Sequence, residues 1–238
     1  MKTIVAIGGG DLKSNETYLI DEYIVKLCGV KTPKLLFIPT ASGEPQDYID
    51  TVAHVYGNQL GCNVSALKLL TAALTDAEIQ AKILTSDIIY VGGGNTAKMM
   101  AAWQERNVDK YILQAYEKGI ILSGMSAGSI CWFDIGHSDS YLQETGEYTA
   151  VEGLSIIPAL HCPHYNQRPQ FDDFMKNRKE TAIAIDDNCA VVFQNGQYKV
   201  IKSVSSSNAY LIKNDNGNIV KSLIDNADFE SLDHLLVS

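Results

Sequence analysis

The residue of this chain best placed for covalent chemistry is Ser126, in the segment G-M-S-A-G at residues 124–128. An apolar run at residues 120–122 precedes the segment, and small residues able to begin a helix follow it. A G-x-S-x-G sequence between a strand and a helix is typical of a nucleophile elbow. The same five residues also fit an ordinary turn whose serine caps a helix. A nucleophilic role for Ser126 therefore depends on finding a base, an orienting acid and oxyanion donors elsewhere.

Histidine is the side chain most often used as a base for such a serine. His137 lies in a polar segment shortly after Ser126, and both His161 and His164 follow a strand-like stretch at residues 154–160. His161 and His164 are three positions apart, but the nearby acids lack the spacing of a metal-binding motif. We therefore expect a base among these three histidines and no metal.

Two aspartates are candidates for the orienting acid. Asp187 belongs to the segment I-D-D-N at residues 185–188, which ends a predicted strand, and Asp139 belongs to the segment H-S-D-S. A carboxylate beside an imidazole fixes its tautomer and stabilises its cationic form. Alternatively, the D-D-N segment forms a turn that has only a structural role.

Glycine-rich segments at residues 8–10 and 92–94 each follow an apolar run. Neither completes the dinucleotide pattern G-x-G-x-x-G, since Lys13 and Ala97 stand where the third glycine belongs, and no phosphate loop G-x-x-x-x-G-K-[ST] occurs. We therefore expect no nucleotide and no other cofactor. Glycines at strand ends instead bring backbone N–H groups to the carboxyl edge of a sheet, where they can stabilise an oxyanion.

The elements that must position these residues follow an alternating pattern. Apolar strands are predicted at residues 3–7, 34–39, 63–69 and 87–91, with helices between them, one of which begins at a T-D-A-E capping box at residues 75–78. This alternation predicts βαβ units and a largely parallel sheet.

The pattern changes after residue 131. Residues 137–150 are predicted to form a loop or a short hairpin, and short strands are expected at residues 154–160, 181–185, 190–194, 198–204 and 209–213. We expect the later strands to form a hairpin or meander that finishes the sheet. In the absence of repeats and linkers, the prediction is a single domain over residues 1–238.

Composition excludes several classes of partner. The 238 residues carry a net charge of −9, which is unsuited to nucleic acid. No apolar stretch approaches the roughly 20 residues that cross a bilayer, and the N-terminal residues do not resemble a signal peptide. The five cysteines are scattered, without C-x-x-C pairs, which is typical of the reducing cytoplasm. We expect a cytoplasmic protein without nucleic-acid or membrane partners.

With these motifs in order, the sequence resembles the peptidase E family of serine peptidases, which is related to the cyanophycinases. The resemblance rests on five segments, namely I-G-G-G, V-G-G-G-N-T, G-M-S-A-G-S, P-H-Y and A-I-A-I-D-D-N-C-A-V. It implies an α/β three-layer sandwich with a mostly parallel sheet, of the glutamine-amidotransferase-like type.

The resemblance also implies roles for individual residues. Ser126 would be the nucleophile, His164 the general base and Asp187 the acid, in a position where family enzymes often carry glutamate, with Asp139 in reserve. The oxyanion hole would use the backbone at Gly93, Gly94 and Ala127.

For the substrate, the resemblance implies short peptides cleaved next to aspartyl residues. Arg168 would anchor the acidic side chain, because a guanidinium binds a carboxylate bidentately, and Asn95 and Gln167 would add polar contacts. Pro169-Gln170 stands where cyanophycinase-like loops tend to carry a further arginine. Two alternatives stay open: a catalytically altered binding or regulatory homologue, and an amidohydrolase acting on cyanophycin-type or β-aspartyl peptides. A monomer or a homodimer is expected.

Overall fold

The structure of the protein, a computed structural model, describes residues 1–236. These residues form two β-sheets with helices packed around them. The strands are β1 Thr3–Ile7, β2 Lys34–Ile38, β3 Asn63–Ala66, β4 Ile88–Val91, β5 Ile121–Met125, β6 Phe133–Ser138, β7 Thr149–Glu152, β8 Ile157–Cys162, β9 Ala182–Ile185, β10 Cys189–Gln194, β11 Gln197–Lys202, β12 Ala209–Asp215, β13 Asn218–Ile224 and β14 Glu230–Ser231. The α-helices are α1 Tyr18–Cys28, α2 Gln46–Val52, α3 Asp76–Leu84, α4 Thr96–Glu105, α5 Val108–Glu117, α6 Ala127–Ile130, α7 Leu142–Thr145, α8 Phe171–Met175 and α9 Asp233–Leu236. A π-helical segment, Ala53–Gln59, continues α2, and 3₁₀ turns span Thr40–Ser42 and Tyr165–Gln167.

The main sheet has eight strands in the order β14-β11-β10-β1-β5-β4-β2-β3. Five neighbouring strands, from β3 to β1, run parallel, and β10, β11 and β14 add to the free edge of β1 in antiparallel fashion. The predicted βαβ units and largely parallel sheet are confirmed. Because parallel strands end at one edge, the segments after β1, β4 and β5 lie side by side.

Both faces of the main sheet are covered, which explains why its strands are continuously apolar. On β1, Ile4 and Ala6 pack with the core that includes α3, α4 and α5, whereas Val5 and Ile7 pack on the opposite face with α1 and the segment after α2. The alternation follows the two-residue period of a strand. The result is the expected α/β sandwich of helix, sheet and helix layers. Helix α3 begins at the predicted capping box, in which Thr75 and Glu78 bond reciprocally.

A second sheet was not expected from the sequence. It has six strands in the order β13-β12-β9-β8-β6-β7. The prediction that the strands from residue 181 onward finish one sheet is therefore wrong for residues 181–185 and 209–213. The chain passes from β9 into β10 through residues 186–188, where Asn188 takes a left-handed φ of 61° and redirects the backbone into the main sheet. Of the alternatives for residues 137–150, the hairpin is confirmed, since β6 and β7 pair antiparallel.

Candidate active site

Ser126 occupies a sharp turn between β5 and α6. Its backbone has φ 57° and ψ −117°, a conformation that is costly for a residue with a side chain and that concentrates at functional sites. The flanking glycines permit the turn. A methyl group on Gly124 would overlap the carbonyl of Gly128, and one on Gly128 would overlap the carbonyl of Val91. The strand-to-helix elbow predicted from G-M-S-A-G is present.

His164 and Asp187 form a direct hydrogen-bonded pair. His164 Nδ1 lies 2.5 Å from Asp187 Oδ1. Gln167 donates its side-chain amide to the other carboxylate oxygen, and the backbone N–H of Asp187 donates to Asn166 Oδ1 at 3.0 Å. Burial by itself would raise the pKa of Asp187. The hydrogen bond and charge of His164, with the bonds from Gln167 and Asn166, hold that pKa below its usual value.

Three consecutive carbonyls, at the end of β1 and in the first glycine loop, hold these parts together. The N–H of Ser126 donates to Ile7 O at 3.2 Å, and the N–H of His164 donates to Gly8 O at 3.1 Å. The N–H of Asn188, next to Asp187, donates to Gly9 O at 2.9 Å. The loop thus joins the end of β5, the loop after β8 and the crossing from β9 to β10. The sequence pattern predicted backbone donors at such loops, whereas here carbonyl acceptors assemble the site.

Gly9 lies against the histidine–aspartate pair. A Cβ atom at this position would overlap both Asp187 Oδ1 and His164 Nδ1. The second residue of the G-G-G segment must therefore be glycine because of the close approach of these two side chains, and not because of a nucleotide phosphate.

A cleft of about 320 Å³ opens beside Ser126. The residues that line it include Asp139, Glu144 and Lys98, the last of which belongs to the first turn of α4. Asp139 is exposed and faces this cleft, whereas the carboxylate hydrogen-bonded to His164 is that of Asp187. The sequence motifs did not identify Lys98 as a site residue. Its position three residues after Asn95, at the start of a predicted helix beside the glycine loop, was the signal that could have done so.

The proposed oxyanion donors surround Ser126. A Cβ atom on Gly93 would lie 3.3 Å from the Cβ of Ser126, Gly94 lines the cleft and Ala127 begins α6. The N–H of Gly93 makes a long bond, 3.4 Å, to the hydroxyl of Tyr48, and burial raises the pKa of this tyrosine to about 12. Their roles as donors stay predictions. No sequence signal pointed to Tyr48.

The predicted substrate-binding residues occupy different settings. Asn95 caps α4, with its side-chain oxygen accepting from Lys98 N at 2.9 Å and its amide donating to Ser140 O at 2.8 Å. Gln167 bonds to Asp187. Arg168 is only 4% exposed, and its guanidinium donates to the carbonyl of His137. The guanidinium also lies over the ring of Tyr148, the residue before β7. Their contacts with a substrate stay predictions.

The two alternative histidines are buried away from solvent. His137 stacks on Tyr148 with ring centroids 4.8 Å apart, and His161 stacks on Phe133 at 4.4 Å. Burial lowers the pKa of each ring to about 3. His164, by contrast, has 28% of its side chain exposed and already bonds a carboxylate, so it is the histidine best placed for proton transfer.

Comparison with known proteins decides the family. The model of peptidase family S51 matches residues 4–201, which include the elbow, the histidine loop and the aspartate. The chain belongs to peptidase family S51. The resemblance to peptidase E seen in the sequence is thereby confirmed, and so is a peptidase as its general class.

Individual similar proteins are also described as peptidases. The chain is 34% identical to the uncharacterized peptidase YgaJ of Bacillus subtilis (strain 168) over 219 residues, 89% of this chain and 92% of the relative. In structure it is similar to a peptidase from an acI-B1 Actinobacterium, with a TM-score of 0.74, 17% identity and 97% of each chain covered. It is also similar to a Listeria monocytogenes EGD-e protein described as a peptidase E, with a TM-score of 0.65, 22% identity, and 85% of this chain and 98% of the other covered. At such identities the two structures support the fold alone.

Proposed function

We propose that this S51 peptidase is a serine peptidase that hydrolyses short peptides next to an aspartyl residue. Ser126 Oγ attacks the peptide carbonyl while its proton passes to His164. The imidazolium then gives that proton to the leaving amine, and an acyl-enzyme remains. A water molecule, deprotonated by His164, attacks the acyl carbon. The bond between the acyl carbon and Ser126 Oγ then breaks, the acid leaves, and His164 returns the proton to Ser126 Oγ. Asp187 holds the imidazole and stabilises its cationic form.

One observation carries the proposal. The 2.5 Å contact between His164 Nδ1 and Asp187 Oδ1 occurs beside the strained elbow of Ser126, and one glycine loop binds all three segments. Because Asp187 engages Nδ1, the other ring nitrogen is left for the serine. A turn with a purely structural role needs neither the strained backbone of Ser126 nor the close approach that restricts residue 9 to glycine.

The cleft beside Ser126 supports an aspartyl peptide with a free amino group. Lys98 and the N-terminal end of α4 offer positive charge for the side-chain carboxylate, since anions are stabilised at a helix N-terminus. Asp139 and Glu144 offer negative charge for the α-amino group. Both charged groups of an N-terminal aspartate therefore have a complement in one cleft.

A second substrate class is favoured by the same lining. Two carboxylates against one ammonium make the cleft acidic as a whole, which suits a substrate that carries a further cation. Cyanophycin-type or β-aspartyl amides joined to a basic residue meet this requirement. They would use the same residues, because amide hydrolysis needs the same nucleophile and base.

Ser126→Ala tests the proposal directly. We expect turnover of Asp-X dipeptides to vanish while the thermal unfolding midpoint stays within a few degrees of the unmodified chain. A panel of Asp-X, Glu-X, Ala-X and β-Asp-Arg peptides separates the two substrate classes. A fluorophosphonate probe should label Ser126 in the folded protein. Absence of both turnover and labelling would instead support a binding or regulatory homologue.

We also propose that the protein acts in the cytoplasm. All five cysteines are free thiols, and four of them are buried, which agrees with a reducing compartment. Within residues 1–236, no helix is both long enough and apolar enough to cross a membrane.

A further inference from the structure

His161 is a buried histidine that the proposed mechanism does not use. It is fully buried on β8, and its two ring nitrogens both have partners at 2.8 Å, the carbonyl oxygen of Ile183 at Nδ1 and the hydroxyl of Ser129 at Nε2. Ser129 belongs to α6, the short helix that begins directly after Ser126. His161 therefore connects the second sheet with the nucleophile elbow of the main sheet.

The partners fix where the protons lie. A carbonyl oxygen only accepts, so Nδ1 of His161 must carry a hydrogen and donate it to Ile183 O. Burial lowers the pKa of His161 to about 3, which keeps the ring neutral at physiological pH. Nε2 is then an acceptor, and the Ser129 hydroxyl donates its single proton to the ring.

Ser129 also controls the carbonyl of Ser126. Its N–H and that of Ile130 donate to Ser126 O at 2.9 and 3.0 Å. The Ser129 hydroxyl oxygen also lies 2.8 Å from this carbonyl oxygen, but because its one proton is on the ring, the two N–H groups of the first turn of α6 are what hold Ser126 O. In a planar trans peptide the N–H of the next residue points opposite to the carbonyl. Whatever holds Ser126 O therefore also sets the direction of the Ala127 N–H.

We propose that His161 and Ser129 are positioning residues for the oxyanion site. The ring takes the hydroxyl proton, anchors the first turn of α6, and so fixes the peptide plane between Ser126 and Ala127. This inference rests on the proposed function, because it assigns the Ala127 N–H to the developing oxyanion. Such donors lose their effect when they are misdirected, since the catalytic gain depends on their preorganised geometry.

Ser129→Ala is the principal test, and Ser123→Ala is its matched control. Ser123 is also fully buried, three residues before Ser126, and its hydroxyl donates at 3.0 Å to Ile89 O, which lies on the neighbouring strand β4. We expect Ser129→Ala to lower kcat about tenfold with KM within about twofold, a fraction of the effect of removing an oxyanion donor outright. Ser123→Ala should change kcat by less than about twofold at a similar loss of stability.

Two further measurements separate positioning from general destabilisation. The affinity for an aspartyl peptide aldehyde, which mimics the tetrahedral intermediate, should fall in Ser129→Ala in proportion to kcat/KM. The Kd for the intact dipeptide, measured in the Ser126→Ala background, should stay unchanged. His161→Leu should behave as Ser129→Ala does, and His161→Gln, which keeps a hydrogen-bonding group, should recover part of the rate.

The outcomes distinguish this inference from the proposed function. If Ser126→Ala abolishes turnover but Ser129→Ala and Ser123→Ala have the same kcat and the same aldehyde affinity, only the positioning role is overturned. If no peptide of the panel is cleaved, the rate of fluorophosphonate labelling of Ser126 replaces kcat in the same comparison. If the unmodified chain is neither active nor labelled, the proposed function and this inference both fail.

Discussion

His164 and Asp187 meet at 2.5 Å, Nδ1 to Oδ1, at the place where the chain crosses from the second sheet into the main sheet. The histidine follows β8 of the second sheet, and the aspartate lies in the turn that leads from β9 to β10. The neighbouring parallel strands β8 and β9 bring the two residues together, and the glycine loop after β1 packs against the pair. Activity of this site should accordingly be sensitive to changes in that loop and in the crossing turn.

The identity of the orienting acid is open to a direct comparison. Asp187→Asn should lower kcat by about 10³-fold or more, because an amide cannot stabilise the imidazolium as a carboxylate does. Asp139→Asn, in the cleft, should keep kcat within about tenfold and act mainly on KM. Steady-state kinetics on an aspartyl dipeptide measure both. A larger loss of kcat in Asp139→Asn would reverse the assignment.

Gly9→Ala tests the close approach of the loop to the pair. The added methyl group overlaps both His164 and Asp187, so we expect at least a 100-fold loss of kcat/KM, on the order of 3 kcal/mol of transition-state stabilisation. Gly57→Ala is the control, since a Cβ there lies 3.6 Å from its nearest neighbour, an ordinary contact. Equal activities of the two variants would show that the pair tolerates displacement.

The buried carboxyl of Asp21 should make the stability of the fold depend on pH, independently of catalysis. It is fully buried, and burial raises its pKa to about 6 against the opposing effect of hydrogen bonds from Tyr56 and Thr17. The folded state therefore holds the proton more tightly than the unfolded chain. The unfolding free energy that this difference contributes is fully present below about pH 4 and is lost as the pH rises through 6.

Asp21→Asn removes this titration. Relative to the unmodified chain, the variant should gain up to about 3 kcal/mol of unfolding free energy between pH 4 and pH 7, the equivalent of a shift of about two pKa units. Urea denaturation at a series of pH values measures the difference. Parallel stability curves would contradict the expectation.

Arg168 is expected to matter for stability. Arg168 is 4% exposed, and its guanidinium donates to the carbonyl of His137. Arg168→Met should therefore cost about 2 kcal/mol of unfolding free energy, typical for a hydrogen bond from a charged group. Arg178→Met is the control, because that side chain is more exposed and pairs with Glu180 at 3.4 Å. A raised KM with unchanged stability would instead support the substrate-anchor role that the family resemblance implied for Arg168.

Local sequence patterns determined the strand-to-helix elbow at Ser126, the parallel strands and the capping box. Each depends on residues within a few positions of one another. Gly124 is required by its contact with the carbonyl of Gly128 inside a five-residue turn, whereas Gly128 is required by its contact with Val91 on the neighbouring strand β4. The alternate packing of β1 follows from its two-residue period. Ser126 was thus the residue that the sequence identified from its immediate neighbours.

Only the tertiary structure separated the candidate histidines by their burial and paired His164 with Asp187. His137, His161 and His164 all followed plausible segments, and the choice came from burial, which two sheets together impose and which no local pattern contains. The second sheet was missed because β8 and β9 look like strands of the first, and strand pairing is set by long-range contacts. The end of β1 and the first glycine loop accept hydrogen bonds from the N–H groups of Ser126, His164 and Asn188. The sequence did not predict this role, because the bonded residues are more than a hundred positions apart and no local spacing pattern reports such bonds.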